Sequence, residues 1–141
     1  MGRLIILITL FLLPMAAVGE GVVEPNAAVR VEIISVIKSQ VAAFRQDDGV
    51  AAFSFASPTI RTKFGDASTF LAMVAAHYRP VYRPQQLKFL DLKSVEGQLV
   101  QRVMVVGPEG EFVLAMYSMV RIDGRWRING CFLVYPSGQR I

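Results

Sequence analysis

Residues 41–65 read VAAFRQDDGVAAFSFASPTIRTKFG, and this stretch specifies the helical half of the fold. An alanine-rich helix ends at the acidic pair and glycine of residues 47–49, because glycine relieves the backbone there. A short phenylalanine-containing helix follows. Ser57-Pro58 then starts a third helix, since serine caps free N–H groups and proline is tolerated in a first turn. Gly65 ends that helix, so we expect several short helices folded back on a longer one.

The longer helix lies upstream, over residues 27–46, with Asn26 as its cap. Its apolar residues recur in steps of three, four and one, which is typical of an amphipathic helix. They are Val29, Ile33, Val36, Ile37, Val41 and Phe44. Downstream, Asp66 is expected to cap a further helix over residues 67–78, whose apolar set is Phe70, Leu71, Val74 and Tyr78.

The chain changes from helix formers to strand formers after Pro84. Pro80 and Pro84 flank residues 81–83, so this triplet is predicted to be a short extended edge piece. Asp123-Gly124 is a hairpin turn of the primed type. Strands are predicted over residues 86–95, 99–106, 111–122 and 125–135. Helices followed by antiparallel strands indicate an α+β fold, with the N-terminal helices packed on one face of a curved antiparallel sheet.

Side-chain alternation assigns faces to the last two strands. In the final strand one face holds Trp126, Ile128, Phe132 and Val134, and we expect this face to meet the helices; the other face includes Cys131 and Leu133. The preceding strand is apolar on both faces. Two interpretations stay open: the sheet curls around an interior, or its outer face packs against a second copy of the chain.

Residues 1–19 have the pattern of a cleaved secretory signal peptide. Arg3 precedes an apolar run of about ten residues, which is too short to span a bilayer, and small residues precede the expected cut after Gly19. An uncleaved anchor is the rival interpretation. We therefore expect an exported, periplasmic protein without stable membrane insertion after cleavage. Residues 20–141 would form one domain, with a core over about residues 27–135.

Composition argues against several classes of protein. Loss of Arg3 lowers the formal net charge from +4 to +3, and the remaining cations are scattered, which does not favour nucleic-acid binding. The one cysteine, Cys131, excludes an internal disulfide. It is either a reactive or bridging thiol or a small buried hydrophobe, and its neighbours Gly130 and Phe132 favour the second interpretation.

No catalytic or metal-binding motif is present, and the single histidine, His77, excludes a histidine pair. We predict neither catalytic residues nor a cofactor. Asp47 and Asp48 could form an acid pair, but carboxylates at a helix break commonly cap N–H groups. Two sets of candidate residues remain. The candidate ligand rim is Tyr78, Arg79, Tyr82 and Arg83, and the candidate cavity is Phe53, His77, Asp91, Tyr117 and Trp126.

Four segments carry a resemblance: AFRQDDGVAAFSFASPTIRTKFG at 43–65, FLAMV at 70–74, YRPVYRP at 78–84 and RWRINGC at 125–131. They resemble the uncharacterised family of small exported bacterial proteins known as domain of unknown function 4864. More broadly, the pattern resembles the cone of nuclear transport factor 2-like proteins within the cystatin-like folds. The resemblance implies a fold and an exported location, but no reaction.

Two functions are compatible with these residues. The first, which the pattern favours, is a non-catalytic module that binds a small molecule in the cone or self-associates as a homodimer through the sheet. The second is a small isomerase or dehydratase that uses an acid and a tyrosine in the cavity. The second requires an ionisable group inside the cone with a hydrogen-bond donor nearby.

Overall fold

Five helices precede a four-stranded antiparallel sheet in the computed structural model, which describes residues 26–137. The helices are α1 (Ala27–Arg45), α2 (Gly49–Ser54), α3 (Pro58–Phe64), α4 (Ala67–His77) and α5 (Arg79–Tyr82). The strands are β1 (Gln86–Val95), β2 (Gln98–Val106), β3 (Phe112–Ile122) and β4 (Arg125–Val134), paired in the order β1-β2-β3-β4. The α+β prediction, with helices N-terminal to a curved sheet, is confirmed. The signal-peptide prediction lies outside the described residues.

The predicted caps are confirmed for four helices. The side chains of Asn26, Asp48, Ser57 and Asp66 accept hydrogen bonds from the backbone N–H three residues later, at the start of α1, α2, α3 and α4. Each cap satisfies one N–H that has no partner within its helix. The primed hairpin turn is also confirmed, because Asp123 and Gly124 have φ values of 49° and 76°.

The prediction of an extended piece at residues 81–83 is wrong. Arg79–Tyr82 forms the one-turn helix α5, with Pro80 in its first turn. Proline there breaks continuity with α4 but is compatible with starting a new helix, since its missing N–H has no helical partner at that position. The consequence is that Pro80 and Val81 are buried beneath the helical layer.

The core lies between α1 and one face of the sheet, which we call the inner face. Ile33 and Ile37 of α1 are fully buried against Val103, Val105 and other inner-face residues. A second cluster joins the end of α1 to α2 and α4, through Phe44, Ala52 and Phe70. The apolar stripe predicted for α1 therefore packs against both the sheet and the other helices.

The face assignment predicted for β4 is wrong beyond residue 128. Ser118 pairs with Gly130 and Met119 with Ile128, so Asn129 is an extra residue in a β-bulge. The bulge shifts the alternation by one residue. Cys131 and Leu133 therefore pack against the core, whereas Phe132 and Val134 are 70% and 48% exposed on the outer face.

The outer face of the sheet is largely apolar from β2 to β4. Its apolar side chains alternate with the inner-face residues and point away from them; they are Val100, Met104, Leu114, Met116 and Val120.

No helix among residues 26–137 is long and apolar enough to cross a membrane.

Candidate functional site

A cleft of about 720 Å³ opens between the helices and the sheet. The C-terminal half of α1, the helices α3 and α4, and the bulged part of β4 form its walls. Its apolar lining includes aromatic rings and branched side chains, namely Phe44, Ala56, Ile60, Phe64, Phe70, Met73, Val74, Val81 and Ile128. Phe132, which is exposed on the outer face, borders the cleft at the edge strand β4. A space of this size and lining fits a small organic molecule.

The β4 wall of the cleft is fixed by the connection between α2 and α3. The Ser57 N–H donates to the Ile128 carbonyl at 2.8 Å, and the Ile128 N–H donates to the Phe55 carbonyl at 2.9 Å. The Ser57 hydroxyl donates to Asn129 Oδ1 at 2.8 Å. Ser57 is buried, so these bonds are shielded from water and hold the bulge against the start of α3.

Tyr78, Tyr117 and Cys131 lie together in the cleft lining, and we call them the Tyr–Cys cluster. Tyr117 is 1% exposed; its hydroxyl lies against the Cys131 thiol and forms no hydrogen bond of normal geometry within residues 26–137. A buried hydroxyl without a good acceptor is costly, so the cluster could hydrogen-bond a ligand oxygen.

Burial governs the protonation of this cluster. It raises the pKa of the Cys131 thiol to about 12. Burial, and then the nearby thiol, raise the pKa of Tyr117 well above its usual value of 10.0 and also raise that of Tyr78. All three groups are therefore neutral at physiological pH, and each retains a proton that it can donate.

The basic side chains of the cleft lining come from the helices. Lys63 of α3 and His77 of α4 both line it and are exposed. No aspartate or glutamate is among its lining residues within the described part of the chain. Amide and hydroxyl groups from Gln40, Gln98, Ser118 and Asn129 complete the polar lining.

The structure separates the four residues of the candidate ligand rim. Only Tyr78 lines the cleft. Arg79 pairs with Glu109 at 3.1 Å on the surface. Tyr82 donates its hydroxyl hydrogen to Asp47, and Arg83 binds the same carboxylate at 2.7 Å while donating to the Phe44 carbonyl. The side chains of Tyr82 and Arg83 thus donate hydrogen bonds to groups at the C-terminal end of α1.

The five residues of the candidate cavity are also divided. His77 and Tyr117 line the cleft, whereas Phe53 packs in the helical core beside Phe70. The placement of Asp91 in the cavity is corrected, because it lies on the outer face, paired with Arg102 at 2.8 Å. Its strand has a bulge between Phe89 and Leu92 that alters the expected alternation.

Trp126 requires a similar correction. It lines a separate groove beside the first half of α1, together with Val31 and Glu32, and not the cleft. Trp126 precedes the bulge in β4, so it does not lie on the part of the strand that faces α3 and α4.

The residues predicted for the cavity did not include Lys63, Gln40 or the residues at the bulge, which line the cleft. The bulge had one local signal, the Asn129-Gly130 pair inside a strand, since glycine within a strand often marks a bulge. The positions of Lys63 and Gln40 had no such signal, because they depend on how α1 and α3 pack on β4. Among residues 26–137, no group of three His, Cys, Asp or Glu side chains is arranged to hold a metal ion.

A comparison with known protein families finds a match that covers all of the described residues. The model of the domain of unknown function DUF4864 matches residues 26–141. The chain belongs to the DUF4864 family. The matched span includes every helix and strand described above and therefore all residues of the cleft. No curated protein matches the chain.

Proposed function

We propose that this member of the DUF4864 family is a small-ligand-binding module that holds a largely apolar molecule in the cleft. The observation that carries this proposal is the cleft itself. It combines a volume of about 720 Å³, an aromatic and aliphatic lining, and a buried tyrosine hydroxyl with no good acceptor. Binding sites for small molecules commonly pair an apolar wall with a few such polar groups.

The arrangement of the elements supports the same function. The helices lie on the inner face of the curved sheet, and the cleft lies between the two layers. We propose on this basis that the domain is a nuclear transport factor 2-like cone, exported from the cytoplasm as the N-terminal sequence predicts. A cavity between helices and sheet is where such a cone would hold a ligand.

Binding can be tested with N-phenyl-1-naphthylamine, a neutral apolar probe whose fluorescence rises in apolar surroundings. We expect saturable binding to the protein. Met73→Trp fills the cleft from α4 and should weaken binding by about tenfold or more, because the ring would occupy the ligand's space. The matched control is Ala72→Trp, which adds the same ring on the exposed side of the same helix and should leave binding unchanged.

Two results would contradict the proposal. One is an absence of saturable probe binding. The other is an equal loss of binding in Met73→Trp and Ala72→Trp, with both variants retaining the circular dichroism spectrum of the unmodified protein.

A specific observation also favours proton-transfer catalysis as a second candidate function. His77 and Tyr117 line one cleft, and the raised pKa of Tyr117 keeps its hydroxyl protonated. His77 would remove a proton from a carbon next to a carbonyl. Tyr117 would donate a hydrogen bond to the oxygen on which negative charge develops.

This second function is tested by hydrogen–deuterium exchange at the carbon next to the carbonyl of 2-acetylnaphthalene in D₂O, followed by NMR. An enzyme would accelerate exchange, and His77→Gln and Tyr117→Phe would each abolish the acceleration. Exchange at the rate of buffer alone, with probe binding intact, would leave the non-catalytic function.

A further inference from the structure

The one formal charge in the described lining of the cleft is positive. Lys63 carries it, and the lining residues include no carboxylate. Resting on the ligand-binding function proposed above, we infer that the ligand is an apolar anion. Its negative group lies at the mouth beside Lys63, and its apolar body extends toward the Tyr–Cys cluster.

Lys63 is available to bind an anion. It lies in the last turn of α3 together with Arg61, which adds a second positive charge nearby. Its Nζ is 5.5 Å from the centroid of the Phe64 ring, which also lines the cleft. The salt bridges within residues 26–137 involve other cations, namely Arg79, Arg83, Lys93 and Arg102. No described carboxylate therefore neutralises Lys63.

The chemistry of the closed part of the cleft determines how the ligand is oriented. Tyr117 and Cys131 are neutral, and the surrounding side chains, such as Val81 and Ile128, are apolar. A carboxylate or sulfonate placed there would lose its hydration without gaining a cation, which is strongly unfavourable. The same group at the mouth would keep its water and face Lys63. A neutral oxygen on the ligand body could still accept the Tyr117 hydrogen.

The test compares two probes that differ by one charged group. 8-Anilinonaphthalene-1-sulfonate has the skeleton of N-phenyl-1-naphthylamine with a sulfonate added. We expect the protein to bind the sulfonate probe more tightly. Lys63→Gln should weaken its binding by about two- to fivefold, the effect of one partly exposed ion pair, and leave the neutral probe unchanged.

Two control variants make the result specific. Lys38→Gln removes an equal charge from the exposed side of α1, outside the cleft lining, and should change neither affinity. Lys63→Arg keeps the charge and should retain the tighter binding of the sulfonate probe. Met73→Trp should weaken the binding of both probes, which locates the sulfonate probe in the cleft.

The outcomes distinguish this inference from the function on which it rests. Binding of the neutral probe without preference for the sulfonate overturns the anion inference alone. Equal effects of Lys63→Gln and Lys38→Gln do the same. Failure of both probes to bind overturns the proposed function and this inference together.

Discussion

Cys131 shows how the surroundings of a single residue decide its chemistry. Its thiol faces the Tyr117 hydroxyl in the Tyr–Cys cluster, and burial raises its pKa to about 12. Because the thiolate is the reactive form, we expect Cys131 to react with Ellman's reagent at pH 8 about a hundredfold more slowly than in the unfolded chain. The control is the double variant S54C/C131A, whose cysteine lies at an exposed position of α2 and should react rapidly. Equal rates for the folded and unfolded protein would contradict a buried thiol.

The same pKa shift predicts how stability depends on pH. The usual pKa of the thiol is 9.0, and the folded value is about 12. Above pH 9 the unfolded chain releases the proton while the folded protein retains it, so the free energy of unfolding falls as the pH rises toward 12. We expect the thermal midpoint of Cys131→Ala to fall less than that of the unmodified protein over this pH range. Tyr117 contributes in the same direction in both proteins.

At the scale of elements, the junction after α1 depends on Asp47. This residue has a left-handed backbone with φ of 51°, and its carboxylate accepts hydrogen bonds from Tyr82 and Arg83 at the C-terminal end of α5. It thereby joins the end of α1 to the segment before the sheet, across 35 residues of chain. We expect Asp47→Asn to lower the thermal midpoint at pH 7. Asp123→Asn, at a similarly left-handed position in a hairpin turn, should have little effect, because asparagine tolerates this conformation.

The pH dependence of the Asp47→Asn effect gives a sharper test. Hydrogen bonds from Tyr82 and then Arg83 lower the pKa of Asp47 below its usual value of 3.8. The carboxylate therefore stabilises the folded protein above pH 3.8, and this contribution is lost as the pH falls through the folded pKa. The difference in midpoint between the unmodified protein and Asp47→Asn should narrow below pH 4. A difference that is constant from pH 7 to pH 3 would show that the ion pair does not cause it.

At the scale of the whole molecule, the outer face of the sheet predicts self-association. Phe132 and Val134 of β4 are exposed beside the apolar side chains of β3, and exposed apolar patches commonly mark interfaces. Covering one face with a second copy would bury this surface. We therefore propose a homodimer, and we expect light scattering to give twice the monomer mass at high micromolar concentration. The protein to use begins at Glu20, the start expected after signal cleavage.

A charge on the outer face provides the matched test of the dimer. Val134→Glu should shift the protein to monomer, since the carboxylate would be buried without a partner in the interface. Lys38→Glu, on the exposed side of α1 in the helical layer that packs on the inner face, should leave the mass unchanged. A monomer at high micromolar concentration in the unmodified protein would exclude the dimer.

The class of fold and most of its elements follow from local patterns in the sequence. The helices, their caps and the hairpin turn depend on contacts within a few residues, so the periodicity of α1 and the Asp123-Gly124 pair were sufficient evidence. Of the predicted cavity residues, His77 and Tyr117 line the cleft.

Which residues share the cleft depends on contacts between distant parts of the chain. The bulge at Asn129 is held by Ser57, 72 residues earlier, and it reverses the facing of every later residue in β4. Arg83, which was predicted to lie on a ligand rim, binds Asp47, 36 residues away. Local patterns specify where a helix or strand forms, but the side of the sheet on which a residue lies follows from long-range hydrogen bonds and packing, which the periodicity of a single strand does not contain.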